Sequence, residues 1–273
     1  MSKPYTLNEL LIIAIAKEIH DHENVVLGQG IPMTSGALAK ALYAPHCILM
    51  MESGIIDFEP TVALNHIADC LSCRGFSFAT NLFSTFTMTY RGFVDVCFLG
   101  VAQVDKYGNL NTTVIGDYDA PKLKLPGSGG AADFISYSKR TILTMRGGEF
   151  VEKLSYRTSP GYLDGGDSRD RTGHFPKGTG PTRLISTKGV FEFDPVTKEM
   201  FLAKIHPGVT LTEIKKKVPW DLKVSPDLVE TERPTDDEID FVRRFAPTES
   251  VGKNLANELA IANMAKQAKE RAI

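Results

Sequence analysis

Residues 25–43 read VVLGQGIPMTSGALAKALY, and residues 47–54 read CILMMESG. The first stretch is a short apolar run, Val25 to Leu27, followed by the glycine-rich turn Gly28-Gln29-Gly30-Ile31-Pro32. It then passes into a segment with Ala37, Leu38, Ala41 and Leu42 at helical spacing, from Thr34 to Tyr43. That order is strand, turn, helix. The second stretch is an apolar strand, Cys47 to Met51, that stops abruptly at Glu52-Ser53-Gly54. Strands apolar on both faces and separated by helices imply a largely parallel sheet covered on both sides.

The same alternation extends in both directions. Thr6 and Glu9 have capping-box spacing, which predicts a first helix over Leu7 to His20. A helical stretch near Asn81 to Tyr90 precedes another apolar run, Phe93 to Val101. The texture then changes. Between Val101 and Val114, D-K-Y-G-N predicts a hairpin, with Gly108 and Asn109 as residues that tolerate positive φ. A second hairpin turn is predicted at Asp194 to Lys198. Residues Gly161 to Pro181 are crowded with Gly, Asp, Arg and Pro and are expected to form a long surface loop or lid. The expected fold class is α/β: a mostly parallel open sheet flanked by helices, with added antiparallel hairpins. Residues 1–250 are expected to form one domain. Residues 251–273, Ala-rich and charged from Asn254 on, are expected to be a peripheral helix or tail.

Of the 273 residues, 42% are hydrophobic and 23% charged, with a formal net charge of −2. A charge so near zero creates no field that would gather nucleic acid or an anionic membrane. The apolar stretch Leu10 to Ala16 is far short of a membrane span, and no signal sequence or lipid anchor is visible. Four cysteines, at 47, 70, 73 and 97, are too few and too irregular for a disulfide scaffold. A reducing, cytoplasmic location is expected.

Glu52 stands at the carboxyl end of a strand, the edge at which open α/β sheets place ligands. A carboxylate there can act as a nucleophile that holds an acyl group as an anhydride; it can equally be a helix-start residue favoured by the dipole. In Pro126 to Phe134, PGSGGAADF, the residues Gly127, Gly129, Gly130 and Ala131 lie just before a helix. Backbone N–H groups there can approach an oxyanion or phosphate, or the glycines can simply make a tight turn. No Lys-Ser/Thr follows, so this is not a Walker A loop, and the dinucleotide fingerprint spacing is absent. Gly28 and Gly30, with Ser53 and Gly54 beside Glu52, form the other candidate ligand loops. Cys70, Cys73 and His66 lack the fourth ligand of a structural zinc site, and no metal is expected. The remaining histidines have no carboxylate or nucleophile partner visible in sequence. Lys215, Lys216 and Lys217 read as the solvated face of a short helix after Thr210, or more sharply as a contact for a ligand phosphate.

GQGIP after the first strand, MESG at the end of the second, QVDKYGNLN in the hairpin and GSGGAADF before a helix together resemble the second subunit of family I CoA-transferases, glutaconate CoA-transferase branch. The similarity runs from about Leu7 to Phe245 and includes TSPGYLDG at Thr158 to Gly165 and HPGVTLTEI at His206 to Ile214. The resemblance implies that Glu52 is the nucleophile and that the Gly127–Ala131 backbone helps stabilise the thioester oxyanion. It implies CoA transfer between an acyl-CoA, of a dicarboxylic or ring-derived acid, and a free carboxylate through a glutamyl-CoA thioester. No permanently bound cofactor is implied. A separate alpha subunit of similar fold is, in αβ units of a larger oligomer. Glu52-Ser53-Gly54, where acetate and 3-oxoacid members carry Glu-Asn-Gly, sets this chain apart from the small 3-oxoacid enzymes. Hydrolysis or decarboxylation of an acyl-CoA on the same scaffold, and a non-catalytic CoA-binding subunit, are the alternative readings.

Overall fold

The structure, a computed structural model, describes residues 3–64 and 66–247. The expected C-terminal helix or tail lies outside the described residues.

Strands β1 (Asn24–Leu27), β2 (Ile48–Met50), β3 (Ile55–Ile56), β4 (Phe78–Ala79) and β5 (Val96–Gly100) come from the first hundred residues. They are followed by β6 (Gln103–Val104), β7 (Leu110–Asn111), β8 (Val114–Gly116), β9 (Pro121–Lys124), β10 (Arg140–Met145) and β11 (Glu149–Phe150). The last are β12 (Pro181–Ser186), β13 (Gly189–Phe193), β14 (Met200–Ile205) and β15 (Lys223–Glu230). Ten of them make one sheet in the order β15-β14-β13-β12-β10-β5-β1-β2-β3-β4. The centre, β12-β10-β5-β1-β2, is parallel throughout. Hairpins extend it at both edges, through β12-β13-β14 and β2-β3-β4. The remaining strands form two small sheets, β11-β6-β7 and β8-β9.

Helices α1 (Leu7–Ala16), α2 (Ile31–Leu42), α3 (Leu82–Tyr90), α4 (Ala131–Tyr137), α5 (Ser168–Arg171), α6 (Leu211–Lys215) and α7 (Asp236–Phe245) complete the fold. Successive residues of a strand point to opposite faces, and the core divides accordingly. Val25, Leu27, Leu49, Phe98 and Ile142 join one buried cluster with Leu11, Ile12 and Ile15 of α1, Leu38 of α2 and Ile239 of α7. Val26, Met50, Cys97, Leu99 and Leu143 join the opposite cluster with Phe134 and Ile135 of α4 and Ile214 of α6. Burial on both faces is what the unbroken apolar runs require.

Most expected elements form within a few residues of their predicted bounds. The capping box of Thr6 and Glu9 is present, but α1 ends at Ala16 rather than His20. Beyond it the N–H groups of Glu18 and Ile19 bond three residues back, to Ile15 and Ala16, so the chain tightens out of the α-helix while Ile19 stays buried in the same cluster. The β6–β7 and β13–β14 hairpins form as predicted. Gly108 has φ +72, whereas Asn109 is not left-handed, because its side chain is used differently. Buried Asn109 donates through Nδ2 to Asp105 and to the Leu163 carbonyl, and through Oδ1 accepts the Gly161 and Leu163 N–H groups. It fastens the hairpin to the start of the 161–181 segment. That segment is a loop with one helical turn, α5. Among the described residues no helix is long and apolar enough to cross a membrane.

Candidate active site

Strand β2 ends at Met50, and the buried Met51 leads into a tight reversal. The Met51 carbonyl accepts the Gly54 N–H at 3.0 Å, and the Met51 N–H donates to Ile55 at 2.9 Å. Gly54 has φ +104, and a Cβ there would meet the Thr80 carbonyl at 2.6 Å, so only glycine fits. The Ser53 hydroxyl donates to the Ile67 carbonyl at 2.9 Å. Ser53 and Gly54 thus shape the reversal, and Glu52 is the residue displayed at its tip.

The Glu52 side chain is half-buried against the loop that precedes α4. Its carboxylate lies against the Gly129–Gly130 backbone, and a Cβ on Gly129 would stand 3.8 Å from both of its oxygens. Burial pushes the Glu52 carboxyl above the usual carboxylate range; the Gly130 N–H opposes the shift and the negative charge of Asp133 adds to it. Asp133, in the first turn of α4, accepts a 2.5 Å hydrogen bond from Tyr90 of α3. That bond raises the Tyr90 phenol to about 12.

The loop is preset by its own contacts. The Gly127 N–H donates to the Thr112 carbonyl at 2.7 Å, and Gly127 and Gly129 have φ of +95 and +50. The Ala131 N–H donates to the Ser128 carbonyl at 3.0 Å. A Cβ on Gly130 would lie 2.6 Å from the Phe86 ring and 2.7 Å from the Phe134 ring, so the α3–α4 contact demands glycine there. Glu52 and the Gly127–Ala131 loop, singled out separately in sequence, are therefore one site.

Gly28 and Gly30 end the neighbouring strand β1, which runs parallel to β2, so both turns lie at the same edge of the sheet. A Cβ on Gly28 would meet the Phe98 carbonyl at 2.5 Å, which makes it a packing glycine between β1 and β5. Gly30 is the N-cap of α2 with φ +83, and no atom lies within 4 Å of where its Cβ would stand. Its open backbone faces free space.

Several singled-out residues stand elsewhere. Cys70 and Cys73 are exposed free thiols on a 3-10 turn, and His66 accepts a hydrogen bond from Ala68 N–H. Lys215 ends the short, capped α6, as expected of a solvated helix face. His206 is buried between Ser186 and Thr231. Two groups were missed in sequence. Asp133 sits inside the quoted GSGGAADF motif, where its place in the first helical turn was the available signal. Arg169, 3% exposed, has no local signal at all, because every acceptor it uses is remote or lies on an irregular backbone. Its guanidinium donates to the carbonyls of Ile135 and Ser136 at the end of α4, to those of Pro160 and Gly161, and to Thr179.

Residues 8–217 match the family described as Coenzyme A transferase. The chain is 35% identical over 246 residues to the beta subunit of glutaconate CoA-transferase from Acidaminococcus fermentans, covering 88% of this chain and 91% of that protein. The crystal structure of that glutaconate CoA-transferase superposes with a TM-score of 0.83, covering 90% of this chain and 96% of its counterpart at 33% identity. The beta subunit of 3-oxoadipate CoA-transferase from Pseudomonas knackmussii is 34% identical over 242 residues, covering 88% and 92%. The decarboxylase AibA/AibB is similar in structure, with a TM-score of 0.76 and 26% identity over 89% of this chain and 96% of that one. A strand-end glutamate against a glycine loop, in a sheet of this topology and with these relatives, places the chain in the coenzyme A transferase family, as a family I beta subunit of the glutaconate CoA-transferase type.

Proposed function

We propose that this chain is the catalytic subunit of a CoA-transferase and that Glu52 is the nucleophile which carries first the acyl group and then CoA. The observation that carries this reading is the half-buried Glu52 carboxylate at a strand end, set against the Gly129–Gly130 backbone and next to Asp133. A carboxylate in that half-buried place is poorly solvated, and a poorly solvated anion is a better nucleophile than one in water. Acylation removes its charge and with it the cost of burial.

In the first step a Glu52 carboxylate oxygen attacks the thioester carbonyl carbon, the C–S bond breaks, and CoA leaves as thiolate, giving an acyl-glutamyl anhydride. The thiolate then attacks the Glu52 carbonyl carbon, the acid leaves as its carboxylate, and a glutamyl-CoA thioester remains. An acceptor carboxylate runs the two steps in reverse, forming the new acyl-CoA and restoring Glu52. Each tetrahedral intermediate develops an oxyanion, for which the Gly127–Ala131 loop offers the N–H groups of Gly129 and Gly130, those of Gly127 and Ala131 being taken by the Thr112 and Ser128 carbonyls. The open backbone of Gly30, with the turn built by Gly28, Ser53 and Gly54, leaves room for substrate on the other side. The chemistry trades one thioester for another and needs coenzyme A only as substrate. The acyl donor we infer is a dicarboxylic or ring-derived acyl-CoA, in keeping with relatives that act on glutaconate and 3-oxoadipate.

Activity is proposed to require a separate alpha subunit, in αβ units of a larger oligomer. Beside the Glu52 loop, Phe78 on edge strand β4, Leu82 and Phe83 on α3, and Phe76 are exposed, Phe83 to 78%. Apolar side chains grouped at a sheet edge next to a water-sensitive site suit coverage by another chain. Segment 161–181, tied down through Asn109 and Arg169, suits a fixed wall better than a hinged lid. Four free cysteines suit a reducing cytoplasm.

The likeness to a decarboxylase supports a second reading, acyl-CoA decarboxylation or hydrolysis on the same scaffold. The test is borohydride reduction of the two-subunit complex after incubation with acyl-CoA and no acceptor, followed by peptide mass spectrometry across His46 to Pro60. Transfer predicts reduction of Glu52 to the alcohol with activity lost in parallel. Free CoA or a decarboxylated product accumulating without an acceptor, with Glu52 unmodified, would establish the second reading instead.

A further inference from the structure

Strand β2 has a second equipped end. The loops that enter β1 and β2 lie side by side because the two strands are parallel neighbours, with Asn24 opposite Ile48. They bring Asp21 and His22 from the first loop against His46 from the second, at the edge of the sheet opposite Glu52. The Asp21 carboxylate is held in place: Oδ1 accepts the His46 backbone N–H at 2.7 Å, and Oδ2 lies 2.8 Å from His46 Nδ1 and 3.6 Å from His22 Nε2. One ligand atom from each of the three residues lies within 4.8 Å of the other two. His22 reaches this place with φ +64, a left-handed backbone uncommon for a residue with a side chain. Such outliers persist where the surroundings hold them and often mark function.

We propose that Asp21, His22 and His46 bind a divalent transition-metal ion of the Zn2+ type, which staples the β1 and β2 entry loops together across the amino-terminal edge of the sheet. Two imidazoles and a carboxylate are a donor set suited to Zn2+, with water as the fourth ligand. The rings now stack, 5.0 Å apart and within 5° of parallel. Zinc–ligand bonds of about 2.0–2.2 Å require the ligand atoms to draw closer than this. Both imidazoles can swing inward, since their side chains are 77% and 66% exposed. Asp21 is the fixed member around which they close. The nearby cation Arg140 is already neutralised by Glu23, at 2.7 and 2.8 Å to its two oxygens, so it leaves the Asp21 charge available.

The experiment is calorimetric titration of zinc chloride into the tag-free, chelator-stripped complex of the full chain with its partner subunit, with Co2+ as a spectroscopic probe. One Zn2+ per chain is expected at micromolar affinity, with a higher melting temperature in its presence. Asp21→Asn and His46→Ala should each weaken binding about tenfold or more, while a Cys70→Ser/Cys73→Ser variant titrates unchanged. Bound Co2+ should show visible d–d absorption without a thiolate charge-transfer band. Because both histidines are exposed, the variants should melt like the parent when no metal is present. Absence of binding, binding that survives His22→Ala/His46→Ala, or a thiolate band would each overturn the proposal.

Discussion

Helix α4 has an ion at each end, and the two are furnished very differently. At the carboxyl end Arg169 donates to four backbone carbonyls and the Thr179 hydroxyl, with the Phe175 ring 4.0 Å from its guanidinium carbon. Burial lowers its pKa to about 10, which leaves it charged at neutral pH. At the amino end Glu52 is half-buried against the Gly129–Gly130 backbone. Both charges complement the helix dipole, an anion at the start and a cation at the finish. Arg169 exchanged its water for five acceptors around its two terminal nitrogens, with Nε left unpaired, and so acts as a clamp. Both ions gave up more water than they regained, and the deficits appear as a lowered pKa at Arg169 and a raised one at Glu52, whose fewer partners leave it free to react. One end of the helix is built to hold, the other to react.

Three substitutions probe that contrast. The largest effect is expected from Glu52→Gln in the two-subunit complex, with turnover falling by about 10⁴-fold or more, the scale of removing the nucleophile from covalent catalysis. Assembly and melting should persist, and turnover that survives would remove Glu52 from the chemistry. Next comes Arg169→Ala, which leaves buried carbonyls without donors and should destabilise the chain by about 3 kcal/mol, read as a lower urea midpoint. Arg169→Lys should recover only part of this, because an ammonium cannot span the same acceptors. A full recovery would show that charge alone, and not the planar fork, does the clamping.

The smallest effect sharpens the comparison most. A carboxyl whose folded pKa is raised is stabilised by folding in its protonated form. Its ionisation therefore costs stability as pH climbs through the folded value, and nothing below the ordinary value of 4.5. Glu52→Gln, which cannot ionise, should melt higher than the parent at pH 7–8, with the gap closing as pH is lowered toward 4.5. Thermal melts over that range decide it, and a parent that melts higher at neutral pH would mean that the Glu52 charge is fully compensated.

Much of this arrangement was legible in the chain. Val25–Leu27, the GQGIP turn and the Ala/Leu-rich segment form strand, turn and helix because apolar period, glycine and capping chemistry act within a few residues. The β6–β7 hairpin and the short helix after Thr210 were readable for the same reason. Asn109 marks where local reading stops. Its residue type suggested a turn, yet in the fold it is a buried strut between Asp105 and Leu163. Nothing in the string HDHEN predicts His46 beside it, because that meeting depends on β1 and β2 pairing in parallel.

The sequence by itself determined the alternating strands and helices, the glycine-rich turns between them, and a carboxylate left at the end of an apolar strand. Each follows from interactions between residues close along the chain. The tertiary structure alone decided that Glu52 meets Gly130 and Asp133, that Arg169 closes the far end of α4, and that two entry loops share three metal-ligating side chains. Those contacts arise from sheet order and helix packing, which bring distant segments together, and their effects on charge depend on burial that no stretch of sequence carries alone.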